Sequence, residues 1–219
     1  MYKKYIKRVL DVVVSSCGLV VLGIPMLIVA VIIRFDLGSP VLFTQERIGK
    51  DEKPFTLYKF RSMRNAVDEN GVPLPDNKRV TKFGMFIRKT SIDELPSLIN
   101  ILKGEMSVIG PRPLPTTYKE WFYEEERVRH TVRGGLTGLA QINGRNTSSW
   151  EERFKYDTEY VKDISWKNDF IIFLRTIGKV LGQTDIGERG KDAPMDFHVY
   201  RSGLTEKELI QRTAKEEDS

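Results

Sequence analysis

Val12–Ile33 reads VVVSSCGLVVLGIPMLIVAVII and carries no formal charge. A helix rises about 1.5 Å per residue, so this stretch is long enough for a hydrocarbon core of roughly 30 Å. A fault lies near its middle. Gly23-Ile24-Pro25 places a helix-weakening glycine two positions before a proline, which lacks a donor N–H and crowds the preceding turn. These residues leave three readings open. They are a single kinked span, a helix–break–helix that enters and leaves by one face, and a buried helix of a soluble core.

The flanks bear on that choice. Lys3, Lys4, Lys7 and Arg8 precede the stretch, and Arg34 follows it. A spanning helix ordinarily has unequal Lys and Arg at its two ends. Cations at both ends suit a re-entrant segment resting on one anionic surface. No small-residue cleavage site follows, so a secretory signal peptide fits worse.

The rest of the 219-residue chain suits one domain plus this anchor. The expected division is an anchor over 1–36, a domain over 37–185 long enough to bury a core, and a tail over 186–219. The net charge of +5 is uneven. Lys78, Arg79, Lys82, Arg88 and Lys89 form a basic run, and the tail after Thr205 is mildly acidic. Such patches suit nucleic acid, anionic lipid or a phosphorylated substrate. Cys17 is the lone cysteine, which excludes an intrachain disulfide. His130 and His198 stand far apart in the chain, so a zinc site is not expected.

Val41–Ile48 and Lys53–Met63 read as strands joined by a turn at Gly49-Lys50-Asp51-Glu52. Alternation puts Phe55, Leu57, Lys59 and Arg61 on one face. Without further evidence, Lys59 and Arg61 read as a solvated strand end. Residues 66–78 form a polar loop, and a helix covers Phe83–Lys89. Then comes Thr90-Ser91-Ile92-Asp93-Glu94-Leu95-Pro96, with helix-start chemistry. Ser91-x-x-Glu94 matches a capping box, while Pro96 favours Asp93 as the cap. Capping alone would account for both carboxylates. Yet two adjacent carboxylates need cations or a metal to stay ionised together, and Arg88 and Lys89 stand just upstream. A carboxylate nucleophile beside a magnesium-binding carboxylate suits phosphoryl chemistry.

Gly110-Pro111-Arg112-Pro113 presents one guanidinium on rigid backbone, as a plain turn or a fixed anion contact. Pro115–His130 reads as a charged helix, and Gly134–Gly138 as a flexible stretch. A turn is expected at Asn143-Gly144. Trp150–Asp163 and Trp166–Gly182 read as helices. In the second, Phe170, Phe173, Leu174, Ile177 and Leu181 recur at helical spacing, read first as core and second as an interfacial face. Residues 186–219 look loosely structured, with a short helix from Thr205.

Taken in order, these pieces resemble the bacterial sugar transferases, the monotopic phosphoglycosyl transferases that start glycan assembly on a polyprenyl phosphate. The match runs from Lys7-Arg8-x-x-Asp11 to about Gly182. It rests on the proline-broken apolar segment, Phe43-Thr44-Gln45-x-Arg47-x-Gly49 and Tyr58-Lys59-Phe60-Arg61-Ser62-Met63. It continues through Arg88-x-x-Ser91-x-Asp93-Glu94-Leu95-Pro96 and Gly104-x-Met106-Ser107-x-x-Gly110-Pro111-Arg112-Pro113, and ends with Thr137-Gly138-x-Ala140-Gln141-x-Asn143-Gly144-Arg145. The family often has Ser-Pro where this chain has Ile24-Pro25, and Pro-Gly where it has Gly134-Gly135.

The resemblance implies an α+β, mostly helical fold. A re-entrant helix–break–helix hairpin turning at Gly23, Ile24 and Pro25 comes first, followed by a small β-hairpin and amphipathic helices at the membrane interface. It implies Asp93 and Glu94 as the catalytic pair and Mg2+ as cofactor, held by the same two carboxylates. Arg88 and Arg112 are the expected phosphate contacts, and Lys59, Arg61, Gln141, Asn143 and Arg145 the expected donor or nucleotide contacts. The implied reaction passes a sugar 1-phosphate from a UDP-sugar to undecaprenyl phosphate through a phosphosugar-aspartate intermediate and releases UMP. It would be the first membrane step of capsule, exopolysaccharide, O-antigen or glycoprotein glycan synthesis. The place is the cytoplasmic face of the bacterial inner membrane, among its phospholipids. A homodimer is an expected assembly; nucleic acid is not an expected partner. Two rival readings are a conventional glycosyltransferase that releases UDP and a non-enzymatic basic membrane adaptor.

Overall fold

The computed structural model describes residues 1–69, 74–144, 148–182 and 196–203. A π-helical turn over Tyr2–Ile6 runs into helix α1, Lys7–Asp36, which contains Pro25. α1 therefore runs unbroken through Gly23-Ile24-Pro25, where a break is expected from the sequence. Proline removes one N–H and crowds one carbonyl, and the remaining i to i−4 bonds carry the helix past it.

One side of α1 lies on the rest of the molecule. Asp11 Oδ1 accepts hydrogen bonds from Ser107 Oγ and Val108 N, both at 2.9 Å. Gly18 lies close against Leu98, and further along Val29 and Ile33 pack with Phe60 and Ile87. The outward side stays apolar and bare, with Val20 82% and Ile24 74% exposed. Two of the flanking cations turn inward. Lys7 donates to Asp169 at 2.6 Å, and Arg8 donates to the Ile101 and Leu102 carbonyls. Lys3, Lys4 and Arg34 remain exposed.

Strands β1 (Leu42–Ile48) and β2 (Pro54–Phe60) pair antiparallel, with Thr44 opposite Tyr58. Their connection is a 3-10 turn over Lys50–Glu52. β2 ends before Arg61, short of the expected Met63, which instead bridges to Val80; the Arg61 guanidinium turns back to the Leu37 and Ser39 carbonyls beyond α1. Helices α2 (Asp76–Arg79) and α3 (Lys82–Lys89) lead to α4, Ser97–Lys103. Leu98 and Ile101 of α4 meet Phe55 and Leu57 of β2 in one apolar cluster.

β3 (Met106–Ile109) pairs parallel with β4 (Gly134–Thr137). The stretch expected to be flexible is thus a strand. Its glycines allow the close approach: a Cβ on Gly135 would stand 2.1 Å from Gly110 N. The expected helix over Pro115–His130 is instead two 3-10 segments, Thr116–Trp121 and Glu124–Thr131, split by extended backbone at Phe122 and Tyr123. That extension seats Phe122 in the core.

Asn143 and Gly144, expected as a turn, close helix α5, Leu139–Gly144. α6 (Trp150–Lys162) starts with a reciprocal cap between Ser149 and Glu152. In α7 (Trp166–Gly182) the inward face carries Asp169, Ile172 and Thr176. Phe170 and Leu174, read first as core, are about half exposed at 52% and 51%, so that face of α7 is not core. The tail departs from its expected loose form at α8, Phe197–Ser202, whose Phe197 is fully buried among Tyr118, Phe122, Trp150 and Phe154. The expected helix from Thr205 lies outside the described residues.

Candidate active site

Asp93 and Glu94 do not cap a helix. They occupy a 3-10 turn, Ile92–Glu94, entered through Ser91 in left-handed backbone at φ 57°. Neither Ser91 nor Pro96 provides a side-chain cap. A non-glycine residue held at positive φ marks a locally imposed geometry. Behind the turn, α4 is stitched to β2. Asn100 accepts from Tyr58 N at 3.1 Å and donates to Thr56 O at 2.7 Å, while Ser97 donates to Tyr58 O at 2.9 Å. This fixes the Asp-Glu turn beside Lys59, the residue after Tyr58 on the strand.

The result is an ion cluster on one oxygen. Lys59 Nζ stands 2.7 Å from Glu94 Oε1, and Arg112 Nη2 stands 2.6 Å from the same atom. Burial works to raise the Glu94 carboxyl, but Arg112 and Lys59 outweigh it and hold it well below the usual carboxylate range. Burial in turn pushes the Lys59 ammonium down, against the pull of Glu94. Glu94 raises Arg112.

Asp93 is under the opposite influence. Burial and then the charge of Glu94 raise its carboxyl, while Lys59, Arg112 and Arg88 oppose that rise. Among the described residues it makes no hydrogen bond and no ion pair. Arg88 comes from the last turn of α3 and donates to Ser62 Oγ at 2.8 Å.

Arg112 sits on a backbone whose successive carbonyls are each held. Pro111 O accepts from Gly135 N at 2.8 Å, Arg112 O from Arg129 Nη2 at 2.7 Å, and Pro113 O from Arg47 Nη1 at 3.2 Å. A small recess opens here, lined by Arg47, Lys59, Glu94, Ser97 and Arg112 among others.

The structure therefore brings together Lys59, Asp93, Glu94 and Arg112, with Arg88 acting on Asp93. It gives Arg61 to backbone carbonyls elsewhere. Gln141 has both amide atoms buried without a partner among the described residues, close to Gly138. Asn143 is exposed and donates to Leu139 O. Arg145 lies outside the described residues. Arg47 entered the reading only as a motif position, and Arg129 was missed altogether; no local pattern marks either, because each acts on a carbonyl distant in sequence. Among the described residues no group of three His, Cys, Asp or Glu could hold a metal by itself. The two adjacent carboxylates still fit magnesium, which binds through one or two carboxylates plus substrate phosphates. Asp93 is uncommitted, and the contacts on Glu94 fall on Oε1, leaving Oε2.

The family model described as "Bacterial sugar transferase" matches residues 2–183. An uncharacterized sugar transferase, EpsL of Bacillus subtilis, is 47% identical over 176 residues, covering 80% of this chain and 87% of that protein. The UDP-glucose:undecaprenyl-phosphate glucose-1-phosphate transferase of Klebsiella pneumoniae is 40% identical, covering 77% of this chain and 38% of that enzyme. The UDP-N-acetylgalactosamine-undecaprenyl-phosphate N-acetylgalactosaminephosphotransferase of Aeromonas hydrophila is 38% identical, covering 84% of this chain and 45% of that enzyme. The chain thus spans less than half the length of these two enzymes.

Proposed function

Since the chain belongs to the bacterial sugar transferase family, we propose that it transfers a sugar 1-phosphate from a UDP-sugar to undecaprenyl phosphate and releases UMP. The observation that carries this reading is the asymmetry of the pair. Glu94 is held ionised by Lys59 and Arg112, while the Asp93 carboxylate feels Lys59, Arg112 and Arg88 but makes no hydrogen bond or ion pair among the described residues. A free carboxylate facing a cationic cluster is what attack on an anionic phosphate needs.

An Asp93 oxygen attacks the sugar-bearing phosphorus. The bond from that phosphorus to the bridging oxygen breaks, UMP departs with the electron pair, and the phosphosugar stays on Asp93. Undecaprenyl phosphate then attacks the same phosphorus and the Asp93 oxygen leaves as carboxylate. Arg112 and Arg88 steady the phosphates. Magnesium would be held by Asp93 and Glu94 with the donor's phosphates, and would neutralise the diphosphate charge.

The acceptor is a lipid, and α1 supports a seat at the membrane. Asp11 and Gly18 early in the helix, and Val29 and Ile33 late in it, all contact one body while the opposite side is bare and apolar. A helix crossing a bilayer would carry one end away from that body. We read α1 as entering and leaving the cytoplasmic leaflet of the inner membrane, with the exposed face of α7 at the interface.

The test is nucleotide release from a panel of UDP-sugars with magnesium and undecaprenyl phosphate, for wild type and Asp93→Asn. UMP from the wild type alone supports the reading. UDP would mean a conventional glycosyltransferase. No release of either, with lipid binding intact in both, would mean an adaptor.

A further inference from the structure

Arg129 and Asp157 form an ion pair in the middle of an aromatic cluster. Asp157 Oδ2 accepts from Arg129 Nε at 3.0 Å and from Nη2 at 2.8 Å, and the side chains are only 3% and 4% exposed. The guanidinium lies 5.6 Å from the Phe122 ring and 5.5 Å from the Phe154 ring. Phe197 of α8 closes over both rings, with centroids 5.1 Å away in each case. A buried pair of this kind is weak evidence of a gain in stability. Apolar side chains of similar volume in a buried site are often as stable or more so. What those side chains lack is a donor, and Arg129 uses one outside the pair: Nη2 also reaches Arg112 O at 2.7 Å.

We propose that Arg129 is a positioning residue for Arg112, held in its fork orientation by Asp157 and sealed from water by Phe122, Phe154 and Phe197. This rests on the reading of Arg112 as a phosphate contact. The Arg112 guanidinium reaches Glu94 from a turn with proline on each side, so the setting of its carbonyl sets the direction of its side chain. Arg47 and Gly135 hold the neighbouring carbonyls, and Arg129 holds the one belonging to Arg112 itself. By this account the aromatic cluster and α8 serve catalysis at one remove, through a backbone oxygen.

The decisive variant is Arg129→Met with Asp157→Leu, which keeps volume and removes the donor. Two readouts are made on the full chain in detergent: the nitrogen–proton spectrum of 15N-arginine side chains, with the Arg112 signal assigned by Arg112→Lys, and steady-state UMP release. We expect a melting temperature at or above wild type, a shifted or broadened Arg112 signal, and kcat lower by about 100-fold with a smaller change in KM. In an Arg112→Gln background the same pair of substitutions should cost little more. Arg129→Lys retains the charge without the planar fork and should show the same signs if the double variant folds poorly. Wild-type kcat, or an unmoved Arg112 signal, would overturn the proposal. The spectrum needs no substrate, so it decides this point even if wild-type UMP release is absent and the proposed function fails.

Discussion

Asp93 and Glu94 adjoin in the chain and stand in opposite electrostatic conditions. Glu94 accepts two cations on one oxygen, and Asp93 accepts none among the described residues. On the proposed function the pair separates into a structural anion, Glu94, and a reactive one, Asp93. Asp93→Asn should abolish formation of the phosphosugar adduct seen by intact mass and leave the melting temperature within about 2 °C, the range of a substitution worth under roughly 0.5 kcal/mol. Glu94→Gln should also lose activity but lower stability, near the bottom of the roughly 3–5 kcal/mol seen when a buried pair loses one partner. Equal melting curves for the two variants would contradict this division.

The adduct should have an acid limit set by Asp93. Attack needs the carboxylate, and burial with the Glu94 charge raises its pKa, so adduct formation should fall as pH drops through a value above the ordinary aspartate range. Arg88 opposes that rise. Arg88→Gln should move the limb to higher pH in a single-turnover profile; a limb moved lower would be the wrong sign.

His130 makes a separate prediction about stability. Burial, then the neighbouring Arg129, lower its pKa from 6.5 to about 4. Between those values the unfolded chain takes up a proton that the folded chain refuses. Stability is complete above about pH 6.5 and is lost as pH falls toward 4. The difference in melting temperature between wild type and His130→Gln, followed across this range, should shift in favour of the variant at low pH.

The β3–β4 pair should not tolerate a methyl group at its crossing. Gly135→Ala would set a Cβ 2.1 Å from Gly110 N and 2.4 Å from Thr137 O, both backbone atoms. The expected cost is at or beyond the usual overpacking range of about 1–3 kcal/mol, read as a lower melting temperature or loss of folded protein.

The reading of α1 is checked by side-specific labelling of single cysteines at residues 3 and 37. Cys17 is exposed and must first become serine. Both positions should react from one side of a sealed vesicle. Reaction from opposite sides would make α1 a span.

Much of this was legible in the residues. Strand alternation put Lys59 on the face of Phe55 and Leu57, and the strand carries it to Glu94. The apolar run, the Asp-Glu pair and the proline-flanked Arg112 were visible as local chemistry. Two kinds of feature were not. One was backbone proximity between distant glycines, which turned Gly134–Thr137 into a strand. The other was choice of face: α7 has apolar residues around much of its surface, and only tertiary packing selects Ile172 over Phe170. The cap chemistry at Ser91 misled for a related reason. Ser91 turns into left-handed backbone there, and the helix waits until Ser97.

Gly18 resting on Leu98 has a bearing on how the molecule is made. Leu98 belongs to the helix that follows the Asp-Glu turn, so a residue of the apolar segment packs directly on that helix. That segment is not a severable tether. Cutting at residue 36 would strip Phe60, Ile87 and Leu98 of their cover and yield a sticky fragment instead of a soluble catalyst. During synthesis α1 leaves the ribosome before the residues that pack on it, so the rest of the chain folds onto a helix that is already made.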